Sequence, residues 1–160
     1  ESVGVGAVRY TFLRNGRERD IVFSWDDMLD FEGDSAPYLQ YTYARCSSIM
    51  RLAEANGVWP LDPAKINHEH LAGEEEQSII KLMDAFEDSV LEALDTHEPS
   101  IMLRNISQLA RAFNRFYNSR SILHAEDKEV MKARLILTES TRTYLKAGLK
   151  IAGIDALDRM

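Results

Sequence analysis

The sequence predicts an all-α protein, a bundle of four or five helices preceded by a short connector, and three observations carry that prediction. From Ser35 onward, apolar residues recur at steps of three and four, the period of helices that bury one face. Residues that favour helix starts and stops punctuate the pattern, and no internal repeat or low-complexity segment competes with it. The 160 residues, 45% hydrophobic and 28% charged, suffice for one sizeable core and are too apolar for a disordered chain.

Residues 1–33 read differently from the rest. They hold Gly4, Gly6, Gly16 and Gly33, a basic stretch at Arg14, Arg17 and Arg19, and a β-favouring run Ile21-Val22-Phe23, which together predict a connector. The first predicted helix is capped by Asp34 or Ser35, carries Pro37 in its first turn and stops at Asn56-Gly57. Its buried stripe is Leu39, Tyr43, Cys46, Met50 and Ala53. From Val58 to Gly73, Pro60, Pro63 and Asn67-His68-Glu69-His70 predict an irregular loop or at most a short helical turn.

The second predicted helix opens on Glu74, Glu75 and Glu76, which favour the positive end of the helix dipole, and directs Ile79, Met83, Phe86, Val90 and Leu94 inward. The third starts at Pro99, is sewn in by Met102, Ile106, Leu109, Phe113 and Phe116, and ends near Asn118-Ser119. The fourth has Glu126 and Asp127 in its first turn, runs through Leu135, Leu145 and Leu149, and stops at Gly153 with Lys146 and Lys150 near its negative end.

A net charge of −7 and a pI near 5.1 argue against a nucleic-acid partner only until the charges are mapped. Residues 74–98 hold nine acids and one base, Lys81, so the rest of the chain sums to +1. Between Pro99 and Ala125 there is no acid, only Arg104, Arg111, Arg115 and Arg120. No apolar run approaches the roughly 18 residues of a membrane span, and Glu1-Ser2-Val3-Gly4 lacks a signal-peptide pattern, so a cytoplasmic chain without membrane contact is expected. The single cysteine, Cys46, excludes an internal disulfide and is expected to be a buried thiol.

Catalytic constellations are missing from the sequence. It has no phosphate-binding Gly-rich loop with Lys, no nucleophile elbow and no recognisable Cys–His pairing, and Gly4-Val5-Gly6 supplies only two glycines of a dinucleotide fingerprint. His68 and His70 lack Cys or carboxylate partners at ligand spacing and read as surface residues. Neither a catalytic nor a metal-binding residue is therefore predicted.

Two helix faces are more informative. Tyr38, Tyr41, Arg45 and Ser48 share a face roughly 140° from the Leu39/Cys46/Met50 stripe. That face could be an interhelical contact or a stacking platform for unpaired bases. On the third predicted helix Arg104, Gln108, Arg111 and Arg115 form a stripe opposite the seam, with Tyr117 at its end. The stripe either meets an anionic partner or pairs with the acids of the second helix.

At both ends the residues resemble a known family. Val5-Gly6-Ala7-Val8-Arg9-Tyr10, Asp20-Ile21-Val22-Phe23, Asp27-Met28-Leu29, Phe31-Glu32-Gly33, Ala36-Pro37-Tyr38-Leu39-Gln40-Tyr41 and Ala44-Arg45 are similar to arginyl-tRNA synthetases just after their catalytic domain. Arg134-Leu135, Leu137, Arg142, Leu145-Lys146, Gly148-Leu149, Gly153-Ile154 and Arg159-Met160 resemble that family's last helix and C-terminus. Residues 56–98 match mainly in helical character.

The resemblance implies a DALR-type anticodon-binding bundle at 34–160, with residues 1–33 the trailing edge of the catalytic domain and its connector. It implies an arginine-accepting tRNA as partner through its anticodon stem and loop, and the protein's own catalytic domain as a second partner, with no DNA and no membrane. By the same analogy the anticodon face uses Tyr38, Tyr41, Arg45, Tyr117 and Met160, beside the Arg111 and Arg115 stripe. Where some relatives carry an aromatic four residues after that last tyrosine, this chain has Ser121. The His-Ile-Gly-His-like and Lys-Met-Ser-Lys-Ser-like ATP signatures are absent here. The resemblance thus implies no cofactor for this stretch, and ATP with Mg for the parent ligase. The alternative, from a different class, is a free-standing helical protein-interaction domain of the same fold.

Overall fold

Small polar side chains set where the helices begin. Ser35 accepts a hydrogen bond from the Tyr38 amide at 3.2 Å and so starts a helix over Ala36–Ala55, which Asn56 and the left-handed Gly57 (φ 69°) end. Asp127 accepts from the Glu129 amide at 2.8 Å and starts the helix Lys128–Ile151. That helix therefore begins a little later than predicted, because Asp127 caps it from outside instead of standing in its first turn.

The computed structural model describes all 160 residues and is all-helical, with no strand. In chain order the helices are α1 (Ser2–Arg14), α2 (Trp25–Met28), α3 (Ala36–Ala55), α4 (Glu74–Asp84), α5 (Phe86–Thr96), α6 (Ser100–Ser119) and α7 (Lys128–Ile151). Two 3₁₀ turns, Pro63–Lys65 and His68–Leu71, punctuate the loop before α4.

The core lies between α3, α6 and α7. Leu39, Cys46, Ile106, Leu109, Phe113, Leu135, Leu145 and Leu149 are fully buried there, each large apolar side chain contributing about 1.5–3 kcal/mol relative to exposure. Burial pushes the Cys46 thiol well above its usual range, so it stays protonated at neutral pH. Helices α4 and α5 pack on α6, and α1 packs on α3 and α6.

Three local features bear on the sequence reading, and the second and third correct it. First, the β-favouring run 21–23 is irregular and forms no strand, in keeping with a connector. It has no neighbouring strand to pair with, and Val22 is 86% exposed. Second, a helix occupies Ser2–Arg14 despite Gly4 and Gly6. Packing overrides the poor propensity: a Cβ on Gly6 would lie 3.1 Å from Ile154 Cγ2 and 3.3 Å from Gln40 Nε2, so only glycine permits this approach without displacement. Tyr10 is then buried, with its hydroxyl donating to Asp34 at 2.7 Å. Third, the helix predicted from Glu74 through Leu94 is two helices, interrupted at Ala85. The Asn105 side chain donates at 3.1 Å to the Leu82 carbonyl, the acceptor an unbroken helix would use four residues on, and such an intrusion kinks helices. Ile79, Met83 and Phe86 face inward as expected, but beyond the break Leu94 is 69% exposed.

Candidate nucleic-acid interface

Tyr41, Arg45 and Ser48 stand on the face of α3 turned away from the core, as the helical period places them. The α6 helix crosses beside that face and brings Tyr117 to it. The Arg45 guanidinium carbon lies 4.9 Å from the Tyr41 ring centre and 4.6 Å from that of Tyr117, so two aromatic faces flank one planar cation. Tyr117 is backed by Phe113 in a near-parallel stack, 6.4 Å between centres at 28°. Tyr41 is 41% and Tyr117 40% exposed, which leaves both rings partly available to a ligand.

Asn114 holds the guanidinium in place. Its side-chain oxygen accepts from Arg45 Nη1, while its amide donates at 2.9 Å to the Tyr38 hydroxyl and at 2.9 Å to Thr42 Oγ1. All of its principal hydrogen-bonding capacity thus goes to three residues of α3, which fixes the crossing of the two helices. No carboxylate lies within ion-pair distance of Arg45, so its charge is met only by ring faces and a neutral amide.

The segment Asp158–Met160 closes the site. Asp158 accepts from the Tyr43 hydroxyl and from Ser47 Oγ, each at 3.0 Å, and its carbonyl accepts from Arg51 Nη1 at 2.8 Å. Those bonds, led by Ser47 and then Tyr43, hold the Asp158 carboxyl below its usual range. Met160, 48% exposed, then lies along an open cleft of about 480 Å3 with Tyr41, Arg45 and Tyr117.

Of the seven residues predicted to touch RNA, four line this cleft: Tyr41, Arg45, Tyr117 and Met160. Tyr38 is half-buried and stands behind it, held by Asn114 against the core. Arg111 and Arg115 are both exposed on α6 but lie outside the cleft. Arg111 is 3.2 Å from Asp34, whereas Arg115 has no ion pair and lines a separate hollow with Glu74 and Glu75. The acids of α4 pair instead with Arg120, 3.1 Å from Glu75, and with Arg134, 3.8 Å from Glu76. At Ser121 the carbonyl accepts from Arg134 at 2.7 Å.

Helical periodicity alone misses Asn114 and Asp158. The only hint of Asn114 is a polar residue bordering the seam of its helix, and Asp158 lies beyond the last periodic segment.

A half-buried cation stacked between two partly exposed aromatic rings, without a competing carboxylate, suits a planar or anionic ligand such as an unpaired nucleotide. No group of three or more His, Cys, Asp or Glu side chains comes together that could hold a metal. No helix is long and apolar enough to cross a membrane.

Residues 39–160 match the family model described as the DALR anticodon binding domain. Over 160 residues the chain is 42% identical to an arginine–tRNA ligase of Clostridium kluyveri, covering all of this chain and 28% of that protein. It is 43% identical over 159 residues to the corresponding ligase of Clostridium acetobutylicum, covering 99% of this chain and 27% of the relative. Among solved structures it resembles Thermus thermophilus arginyl-tRNA synthetase with a TM-score of 0.86 and 31% identity, over 99% of this chain and 27% of that one. The fold is shared with the arginyl-tRNA synthetase of Plasmodium falciparum, TM-score 0.82 at 24% identity, again over 99% of this chain and 27% of the other.

Proposed function

This chain belongs to the DALR anticodon-binding domain family, and on that footing we propose that it recognises the anticodon stem and loop of an arginine-accepting tRNA as part of an arginine–tRNA ligase. The observation that carries the reading is the Arg45 guanidinium held between Tyr41 and Tyr117, in a cleft that Met160 borders. Unpaired bases leaving the stem would stack on the tyrosine rings, and the uncompensated charge would draw their phosphates. Tyr38 supports the site from behind, and Arg111 and Arg115 extend its positive field along α6.

The chain spans little more than a quarter of the length of the curated ligases it matches, 28% of one and 27% of another. Activation of arginine by ATP with Mg, and its transfer to tRNA, are therefore assigned to the remaining part of such a ligase. The residues here do not assemble a phosphate loop or a metal cradle, and their contribution is recognition. Residues 1–33 are assigned to the trailing edge of that catalytic part and the connector, and 34–160 to the recognition bundle. The family match from residue 39 supports this division.

Two substitutions on one helix test the reading. Tyr41→Ala should weaken binding of an arginine-tRNA anticodon stem-loop by about 1–3 kcal/mol, with the melting temperature nearly unchanged. Leu39→Ala should cost about 2–5 kcal/mol of stability. Thermal melts and a titration with the stem-loop, using an unrelated loop as control, measure both. Unfolding by Tyr41→Ala with RNA affinity intact would refute the stacking role.

A further inference from the structure

We propose that a second pocket, adjoining the tyrosine cleft along the Asp158–Met160 segment, takes the phosphate and base of the nucleotide next to the one stacked in that cleft. The inference rests on the RNA-binding reading above. Arg51, Arg142, Arg159 and Trp59 wall this pocket, whose volume is about 420 Å3. The two hollows share Arg51, Asp158 and Arg159, so a strand leaving one enters the other.

The charges there are unevenly committed. Arg142 grips Glu139 through two bonds of 2.8 Å each. The Asp158 carboxylate is engaged by the hydroxyls of Tyr43 and Ser47. Arg51 donates to the Asp158 carbonyl and has no carboxylate within ion-pair distance, and exposed Arg159 has none either. Lys146 adds positive charge near Asp158, and Glu54 is the one acid of the lining without a partner. Two guanidinium groups without acid partners line the same pocket as a carboxylate that is already engaged, and they offer donors to a phosphodiester.

Trp59 supplies the other half of a nucleotide site. It packs against the core and is only half-buried, so its indole is fixed while part of it faces the pocket. A base entering there finds an aromatic surface that accepts any base by stacking. Stacking of this kind selects an unpaired nucleotide over a duplex, because only a base released from its stack can present its face to the indole.

Trp25→Phe leaves Trp59 the only tryptophan in the chain, so its emission reports on this pocket alone. Titration with the arginine-tRNA anticodon stem-loop should quench that emission saturably, with the same midpoint as anisotropy of a labelled loop. Arg51→Gln with Arg159→Gln should weaken binding on the order of tenfold and lower the slope of log affinity against log salt by about 0.7 for each phosphate left without its guanidinium. Tyr41→Ala should weaken binding while the residual complex still quenches Trp59. If the loop binds and responds to Tyr41→Ala, but either the Trp59 emission or the salt slope of the arginine variant stays unchanged, the second pocket is refuted and the recognition reading stands. If the loop does not bind at all, both fall.

Discussion

Single side chains divide here between those that hold the site and those that offer it. Asp158 holds. Its carboxyl is kept below the ordinary aspartate range by Ser47 and Tyr43, and a depressed carboxylate adds stability at every pH above its unfolded value. That contribution is lost only as the pH falls through the folded value, below about 4. Asp158→Asn removes the charge and keeps an acceptor. Melting temperatures of the wild type and this variant should therefore differ at pH 7 and converge toward pH 3, and a gap that persists there would show that the charge is not what anchors the segment. Helical spacing is enough to place Tyr41 and Arg45 together on an outward face, because one period relates them. It cannot separate Tyr38 from them, since the half-burial of that ring depends on Asn114 arriving from α6. A contact between two helices depends on their relative rotation, which no single-helix period encodes.

Elements meet where side chains leave room. On α7, Gly148 faces α6, and a Cβ there would lie 2.5 Å from Ile106 Cγ2 and 3.0 Å from its Cδ1. In an isolated helix Gly→Ala gains about 1 kcal/mol. Here the obstructing atoms belong to a β-branched residue buried in the core, and overpacking costs typically about 1–3 kcal/mol. Gly148→Ala should thus lower the melting temperature, and adding Ile106→Val, which removes one crowded methyl, should recover part of the loss. A stabilised Gly148→Ala variant would mean that the α6–α7 crossing is looser than its geometry states. Helices α3, α6 and α7 are legible in the sequence because their starts, stops and buried stripes agree with one another. Helix α1 is not, since its glycines read as punctuation, whereas Gly6 is a place of close approach to Ile154 and Gln40. The break at Ala85 is hidden for a related reason: it coincides with a side-chain hydrogen bond from another helix, while the apolar period runs on through it.

Across the whole molecule, a net charge of −7 coexists with a cationic face because the acids concentrate on one stretch of chain. Residues 74–98 build α4 and α5, both packed on α6, yet only Arg120 and Arg134 draw on the carboxylates of α4 through ion pairs. Arg111 and Arg115 of α6 point to solvent, and their surroundings differ. Arg111 shares Asp34 with Tyr10 and Arg14, so part of its charge is already used in joining α1, α3 and α6. Arg115 has no acid partner in range, although Glu74 and Glu75 border the same hollow. If α6 steers the RNA backbone toward the tyrosine cleft, the two arginines should respond unequally. Arg115→Glu should lower the salt slope of stem-loop binding by about 0.7, the value for one single-strand phosphate. Arg111→Glu should lower it by less, and should also reduce the melting temperature by setting a second carboxylate beside Asp34. Titrations at several salt concentrations, paired with melts, separate these outcomes. Equal slopes for both variants would mean that α6 acts as a uniform positive field. Unchanged slopes for both would confine recognition to the cleft between α3, Tyr117 and Met160.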